Sequence, residues 1–409
     1  MSAPDAVTAG FHDRYATRAA GIVGSVIDAS TSIIQSRRND VVRLAMGSPA
    51  ADFVPVALFE ELLVAVAREG AGAFDYGPTE GDEALRAELL RDLAARGEEV
   101  SPSSLLITTG GMQGIDLVCK LFVGPGDLVV VESPTYTNAT ATISSYEGRM
   151  IEVPCDADGM DVDALAERVA AAGAPPKLIY TIPTFQNPSG TTLPLARRER
   201  LIDLAERWGS LILEDDPYSW LRFEGDALPS LRALAAGRVP LIAVHTFSKV
   251  LAPGLRVGWT IADPAVIARM VDARQSMDTC TNTLQQRLVA RFLAARHLDD
   301  HVTGLRVEYR RRKLAMQAAL REELAGHGAR WTDPGGGFFL WLTLPDGMST
   351  SALFPAALDA GVAFVPGAAF SISGAFPNAL RLAFSAEDPA RASEGVRRLR
   401  QAIDGMGWS

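Results

Sequence analysis

Between residues 104 and 261 the chain alternates short, unbroken apolar runs with stretches of helical periodicity. The runs Leu105–Thr109, Leu128–Glu132, Met150–Val153, Leu178–Ile182, Leu211–Asp216, Leu241–Thr246 and Arg256–Ile261 predict seven strands. A helix from Met112 and others over Tyr136–Ser145, Asp161–Ala171 and Ala196–Trp208 fall between them. Strands that are apolar throughout, rather than at every second position, are covered on both faces, which points to a mostly parallel α/β sheet. Upstream, residues 11–40 read as a helix and Val41–Pro49 as an extended run into a turn. Leu58, Leu62, Leu63 and Val66 carry helical spacing over 57–69, and a loop, Asp75–Gly81, leads into a helix over Asp82–Arg96. Beyond residue 265 the pattern is helical to about 326. Strands return at Phe338–Leu344, Val362–Val365 and Leu380–Phe384, and a helix over Pro389–Ile403 ends the chain. The order predicts a large α/β domain over residues 51–295 and a small α+β domain built from 1–50 and 296–409.

Composition narrows the function. Of 409 residues 48% are apolar, enough for a substantial core, and the net charge of −10 with no basic run longer than Arg310–Lys313 disfavours nucleic acid. No apolar stretch reaches the roughly 18 residues a transmembrane helix needs. The amino terminus lacks the basic start and apolar run of a secretory signal. Three widely spaced cysteines, Cys119, Cys155 and Cys280, read as reduced thiols of a cytoplasmic protein, and the five scattered histidines form no metal-ligand spacing. Lysine occurs only at 120, 177, 249 and 313, although arginine is abundant. Arginine serves as a surface cation but cannot form an imine, so a retained lysine draws interest. Lys249 lies in Thr246-Phe247-Ser248-Lys249, with Arg256 seven residues on. That spacing suits a Schiff base to a phosphorylated aldehyde, with Thr246, Ser248 and Arg256 around the phosphate. Gly110-Gly111-Met112, at a strand-to-helix turn, offers backbone N–H groups to the same phosphate, although a plain turn has the same pattern.

These segments recur in order with others: Thr108–Gly114, Glu132-Ser133-Pro134-Thr135-Tyr136, Pro183–Gly190, Glu214-Asp215-Asp216-Pro217-Tyr218, Pro334–Trp341 and Leu380-Arg381-Leu382. From about residue 12 to the end the chain resembles the fold-type I pyridoxal-phosphate enzymes of the class I/II aminotransferase group. Its flavour is that of the 2-aminoadipate and kynurenine aminotransferases and of the aminotransferase-like half of MocR-type regulators. The resemblance implies an aspartate-aminotransferase-like fold and a ping-pong transfer of an amino group from an L-amino acid to a 2-oxo acid. It implies pyridoxal 5'-phosphate on Lys249, which also acts as the general base, Asp215 at the ring nitrogen, and Tyr136 stacked on the ring. Asn187 and Tyr218 are then donors to the phenolate oxygen, and Gly111, Met112, Thr246, Ser248 and Arg256 surround the phosphate. Arg381 receives the substrate carboxylate, Gly47 and Ser48 line the substrate pocket with Asn187, and Tyr76 reaches the partner site of a homodimer.

The chain departs from the family at three places. Asp28, in Ser25-Val26-Ile27-Asp28-Ala29, stands where relatives often carry an arginine, which weakens recognition of a second substrate carboxylate. His245 replaces a usual glycine, and Gly111-Met112 replace Ser-Gln. Decarboxylation, β-elimination and oxidative deamination use nearly the same residues and stay open at this level, as does, more remotely, a regulator-like binding module.

Overall fold

The computed structural model describes residues 14–22, 24 and 40–408. Of the helix expected over 11–40 it describes a 3-10 turn, Thr17–Gly21; Asp28 and its neighbours lie outside the described residues. The strands are, in chain order, β1 (Val42–Arg43), β2 (Leu105–Thr108), β3 (Leu128–Ser133), β4 (Arg149–Asp156), β5 (Gly159–Met160), β6 (Leu178–Thr181), β7 (Leu211–Asp216), β8 (Leu241–Thr246), β9 (Gly258–Ile261), β10 (Arg330–Trp331), β11 (Phe339–Thr343), β12 (Val362–Ala363), β13 (Val365–Pro366) and β14 (Ala379–Ala383).

The larger sheet runs β2-β9-β8-β7-β6-β3-β4-β5. The pairs β8/β7, β7/β6, β6/β3 and β3/β4 are parallel, while β9 is antiparallel to both neighbours. The seven expected strands are all present. The eighth, β5, turns back on β4 and is too short to leave an apolar run in the sequence. Both faces are buried, as unbroken apolar strands require. Val129, Val131, Tyr180 and Leu213 pack into one cluster with Ile115 and Val118 of the helix Gly111–Phe122. Their neighbours Val130, Ile179 and Ile212 join Leu165, Leu201 and Ile202 on the other face.

A smaller antiparallel sheet, β10-β11-β14-β13, forms near the carboxyl end. The early strand β1 pairs in parallel with β12, Val42 opposite Val362, so the residues before the first long helix join those of the last hundred. The helical region expected to run from 265 to 326 is three helices: Pro264–Gln275, Thr283–Ala294 and His297–Leu324. Asn282 caps the second through Gln285 N, and Arg296 at φ +60° breaks the chain before the third. Arg256 and Val257, expected in a strand, precede it. The turn Pro253–Leu255 leaves Arg256 in the left-handed region at φ +52°. Among the described residues no helix is long and apolar enough to cross a membrane.

This topology locates the chemistry. In an open parallel sheet the carboxyl ends of neighbouring strands converge on one crevice. Here Tyr136 follows β3, Asn187 follows β6, Asp215 is the penultimate residue of β7, and Lys249 follows β8.

Candidate active site

A cavity of about 350 Å³ opens at those strand ends, within the usual range for a small-molecule site. Every site residue named from the sequence lines it except Tyr76: Gly47, Ser48, Gly111, Met112, Tyr136, Asn187, Asp215, Tyr218, Thr246, Ser248, Lys249, Arg256 and Arg381. Tyr76 is 83% exposed and lies outside this cavity, on a loop tied down by Thr283 Oγ1 donating to Asp75 O at 3.0 Å. Met46, Ile115, Asn138, Ile182, Pro217, Pro253 and Phe339 complete the walls. These positions carry no chemical signature that would mark them in the sequence.

Lys249 ends a short turn after β8, and its Nζ donates to Gly47 O at 2.8 Å. Burial pushes the amine down to about 8, with Arg381 and Arg256 adding to the effect and Asp215 opposing it. A lysine so placed gains its unprotonated form, the one a nucleophile needs, at far lower pH than an ordinary lysine, and that form predominates above about pH 8. Cofactor loading of the apo-protein should therefore slow about tenfold for each pH unit below 8 and level off above it; a flat rate between pH 6 and 9 would contradict this environment for Lys249.

Asp215 alternates with its neighbour as a strand demands: Asp215 faces the cavity, whereas Asp216 lies beside His245, 3.8 Å from Nδ1. Burial raises the Asp215 carboxyl to about 7, against the hydrogen bond it accepts from Tyr180 Oη at 2.7 Å. His245 stacks on Trp259, with ring centroids 5.0 Å apart, and does not line the cavity.

Backbone N–H groups, hydroxyls and a guanidinium gather at one side of the cavity as a candidate anion cradle. No side chain caps the first turn of the helix Gly111–Phe122, so its early N–H groups face the cavity mouth with the helix dipole behind them. Thr246 Oγ1 donates to Ser248 Oγ at 2.8 Å, and Arg256 Nη2 reaches Thr109 O at 3.1 Å. Gly110, at φ +78°, leaves room for that guanidinium; a Cβ there would lie 2.5 Å from Nη2. Gly258 passes equally close, since its Cβ would sit 2.6 Å from His245 O and 2.8 Å from Gly110 C. Both neighbours are main chain and cannot rotate away. Gly258→Ala should lower stability by about 1–3 kcal/mol and loosen the cradle, read by thermal unfolding and by phosphate-ester affinity; an unfolding midpoint equal to the parent's would contradict this packing.

At the opposite wall Arg381 is 1% exposed. Its Nη1 donates to Asn187 Oδ1 at 2.9 Å and its Nη2 to Ala45 O at 2.7 Å, while Nε has no partner. Phe339 and Phe370 lie against the guanidinium, 4.2 and 5.1 Å from its carbon. No carboxylate among the described residues forms a salt bridge with it, so its charge lacks the counter-ion that burial demands. The loop carrying Asn187 is braced from beneath. Arg198, also 1% exposed, spends its donors on Pro183 O, Leu193 O, Pro229 O and Thr184 Oγ1, at 2.8–2.9 Å. Glu132 receives Thr181 Oγ1, Gln186 Nε2 and Ile182 N.

The donor set fits pyridoxal phosphate: a buried amine, a carboxylate for a ring nitrogen, an aromatic wall at Tyr136, an uncapped helix end with hydroxyls and an arginine for a phosphate, and an unmatched guanidinium for a substrate carboxylate.

Known proteins agree. The family model for aminotransferase class I and II matches residues 39–399. The chain is 37% identical over 405 residues to the aromatic-amino-acid aminotransferase 1 of Thermococcus litoralis, covering 98% of this chain and 96% of the relative. It is 39% identical to the 2-aminoadipate transaminase of Thermus thermophilus, over 91% of this chain and 92% of that one. The crystal structure of the kynurenine aminotransferase of Pyrococcus horikoshii superposes with a TM-score of 0.90 at 37% identity, covering 98% of this chain and 99% of that chain. With the fold, the cavity and these relatives in agreement, the chain belongs to the class I and II aminotransferases and is a pyridoxal-phosphate-dependent aminotransferase of fold type I.

Proposed function

We propose that the cavity transfers the amino group of an L-amino acid with an uncharged, largely apolar side chain, and that Lys249, Asp215 and Arg381 carry the reaction. The observation that supports this most directly is the pair of cations, the part-buried Lys249 and the buried Arg381, facing one cavity without a carboxylate salt bridge to either among the described residues. Pyridoxal phosphate, when bound, supplies a cationic ring that withdraws electrons from Cα of the attached amino acid. Every other task falls to the chain. Thr246, Ser248, Arg256 and the N–H groups of Gly111 and Met112 hold the phosphate. Tyr136 covers the ring, and Asp215 holds the proton on the ring nitrogen. Asn187 gives its Oδ1 to Arg381, which leaves Nδ2 to donate, with Tyr218 Oη, to the phenolate oxygen. Arg381 orients the α-carboxylate through its remaining N–H groups, and Lys249, once its amine is released, moves the proton from Cα to the cofactor carbon.

The walls bear on the substrate. The cavity's cations are Lys249, Arg256 and Arg381, each occupied in this scheme, which leaves none among the described residues for a second carboxylate. Met46, Met112, Ile115 and Phe339 offer apolar contact instead. Relatives named for aromatic amino acids, 2-aminoadipate and kynurenine span both possibilities, and the walls favour the neutral side chains. An amino-donor screen with 2-oxoglutarate and pyruvate as acceptors, read by return of the cofactor spectrum, should rank phenylalanine, leucine and methionine above aspartate and 2-aminoadipate; preference for the dicarboxylic donors would overturn this assignment. Tyr76 then serves the partner of a homodimer. Phe74, two residues before it, is also exposed, at 67%. The cytoplasm is the compartment we assign, on three unpaired cysteines.

A further inference from the structure

We propose that Tyr180 is a positioning residue for the cofactor's ring nitrogen: its phenol takes one oxygen of Asp215, turns the other toward the cavity and keeps the ring proton off the carboxylate. The inference rests on Asp215 being the ring partner.

Tyr180 is fully buried on β6, beside β7, where Tyr180 pairs with Leu213. Its ring belongs to the apolar cluster that includes Val129, Val131, Ile182 and Leu213. By position it is a core residue, and phenylalanine would fill the same space. The hydroxyl is what distinguishes it, and it meets Asp215 Oδ2 at 2.7 Å, a short, charge-assisted bond. The direction of that bond is settled by chemistry. Burial and the neighbouring carboxylate push the phenol far above its ordinary range, so it stays protonated and donates. The other ionisable groups facing the pair are Asp216, Lys249, Glu132, Tyr136 and Tyr218. Only Lys249 among them favours the ionised Asp215, and it lies across the cavity donating to Gly47 O.

A buried carboxylate without donors is a strong base. Set against a pyridine nitrogen, it would draw the shared proton to itself and leave the ring neutral. One donated hydrogen bond lowers that basicity, and the proton then stays on nitrogen, where it makes the ring an electron sink. The phenol also occupies Oδ2, so Oδ1 is the oxygen presented to the ring. Tyr180 does not line the cavity and acts wholly through Asp215.

The experiment reconstitutes the full-length parent, Tyr180→Phe and Asp215→Asn with pyridoxal phosphate carrying 15N in the ring. It reads the nitrogen chemical shift at neutral pH, the cofactor dissociation constant and the thermal unfolding of each apo-protein. The parent should show a protonated ring. Y180F should unfold within a few degrees of the parent, yet move the proton partition roughly tenfold or more toward Asp215, as loss of one hydrogen bond to a buried charge implies. Cofactor affinity should fall in step. A parent-like shift and affinity in Y180F, with D215N clearly moved, would overturn the role of Tyr180 alone. A parent-like shift in D215N would overturn the ring-partner assignment itself. If Y180F does not fold, the parent answers: with tyrosine labelled at Cζ, the Tyr180 signal should move on adding pyridoxal phosphate to the parent and not to D215N, and no movement in the parent refutes the proposal.

Discussion

Lys249→Ala should lower transamination at least about a thousandfold, since general acid–base transfer alone supplies about 10²–10⁴ and the covalent anchor is lost with it. The purified variant should lack the visible band of the protein-bound cofactor, and borohydride should no longer attach the cofactor to the chain. Lys249→Arg separates charge from nucleophilicity. A guanidinium keeps the positive charge in the cavity but forms no imine and does not shuttle a proton near neutral pH. Both variants should therefore be equally inactive, whereas a purely electrostatic role for Lys249 would leave the arginine variant partly active. Rates from single turnovers, with the amino acid supplied to preloaded protein, isolate the proton transfer from loading. A variant within tenfold of the parent in that assay, or one still labelled after borohydride, would remove Lys249 from the centre of the mechanism.

Much of this site was legible because its residues follow the carboxyl ends of β-rich runs, and those runs are unambiguous where both faces of a sheet are buried. Lys249, Asp215, Asn187 and Tyr136 are separated by dozens of residues in sequence, yet all line one cavity because β8, β7, β6 and β3 are adjacent and parallel. Where the reading fell short, local chemistry overrode pattern. Arg256 seemed to open a strand by its apolar neighbours, but Pro253-Gly254 force a turn that sends its guanidinium back to Thr109. The helical stretch after 265 is interrupted where Asn282 caps a new helix. Tyr180 and Glu132 were hidden for a different reason. Both sit inside strands, where an aromatic residue reads as core and an acid as a strand end. Their partners, Asp215 and Gln186, are 35 and 54 residues away and become neighbours only through sheet order. His245, a departure from the family pattern, stacks on Trp259.

The second large effect is at Arg381. Its guanidinium is held from two sides, by Asn187 Oδ1 and Ala45 O, and pressed by Phe339 and Phe370, so its direction is fixed before substrate arrives. Preorganisation of this kind makes the carboxylate contact strong, because neither partner needs reordering. Removing one member of a buried, hydrogen-bonded charge pair costs about 2–5 kcal/mol, which is roughly 30-fold to several thousandfold in kcat/KM. Arg381→Leu keeps the apolar contacts with both rings and should lose that amount toward phenylalanine, while its rate with phenethylamine, which lacks the carboxylate, stays within a few-fold of the parent's. Arg381→Lys should recover only part of the loss, because an ammonium cannot bridge Asn187, Ala45 and a carboxylate in one plane. The preference for amino acid over amine is thus the quantity to measure. Its collapse in the leucine variant assigns the carboxylate to Arg381. Equal losses toward amino acid and amine would instead make Arg381 a brace for Asn187, with the carboxylate held elsewhere.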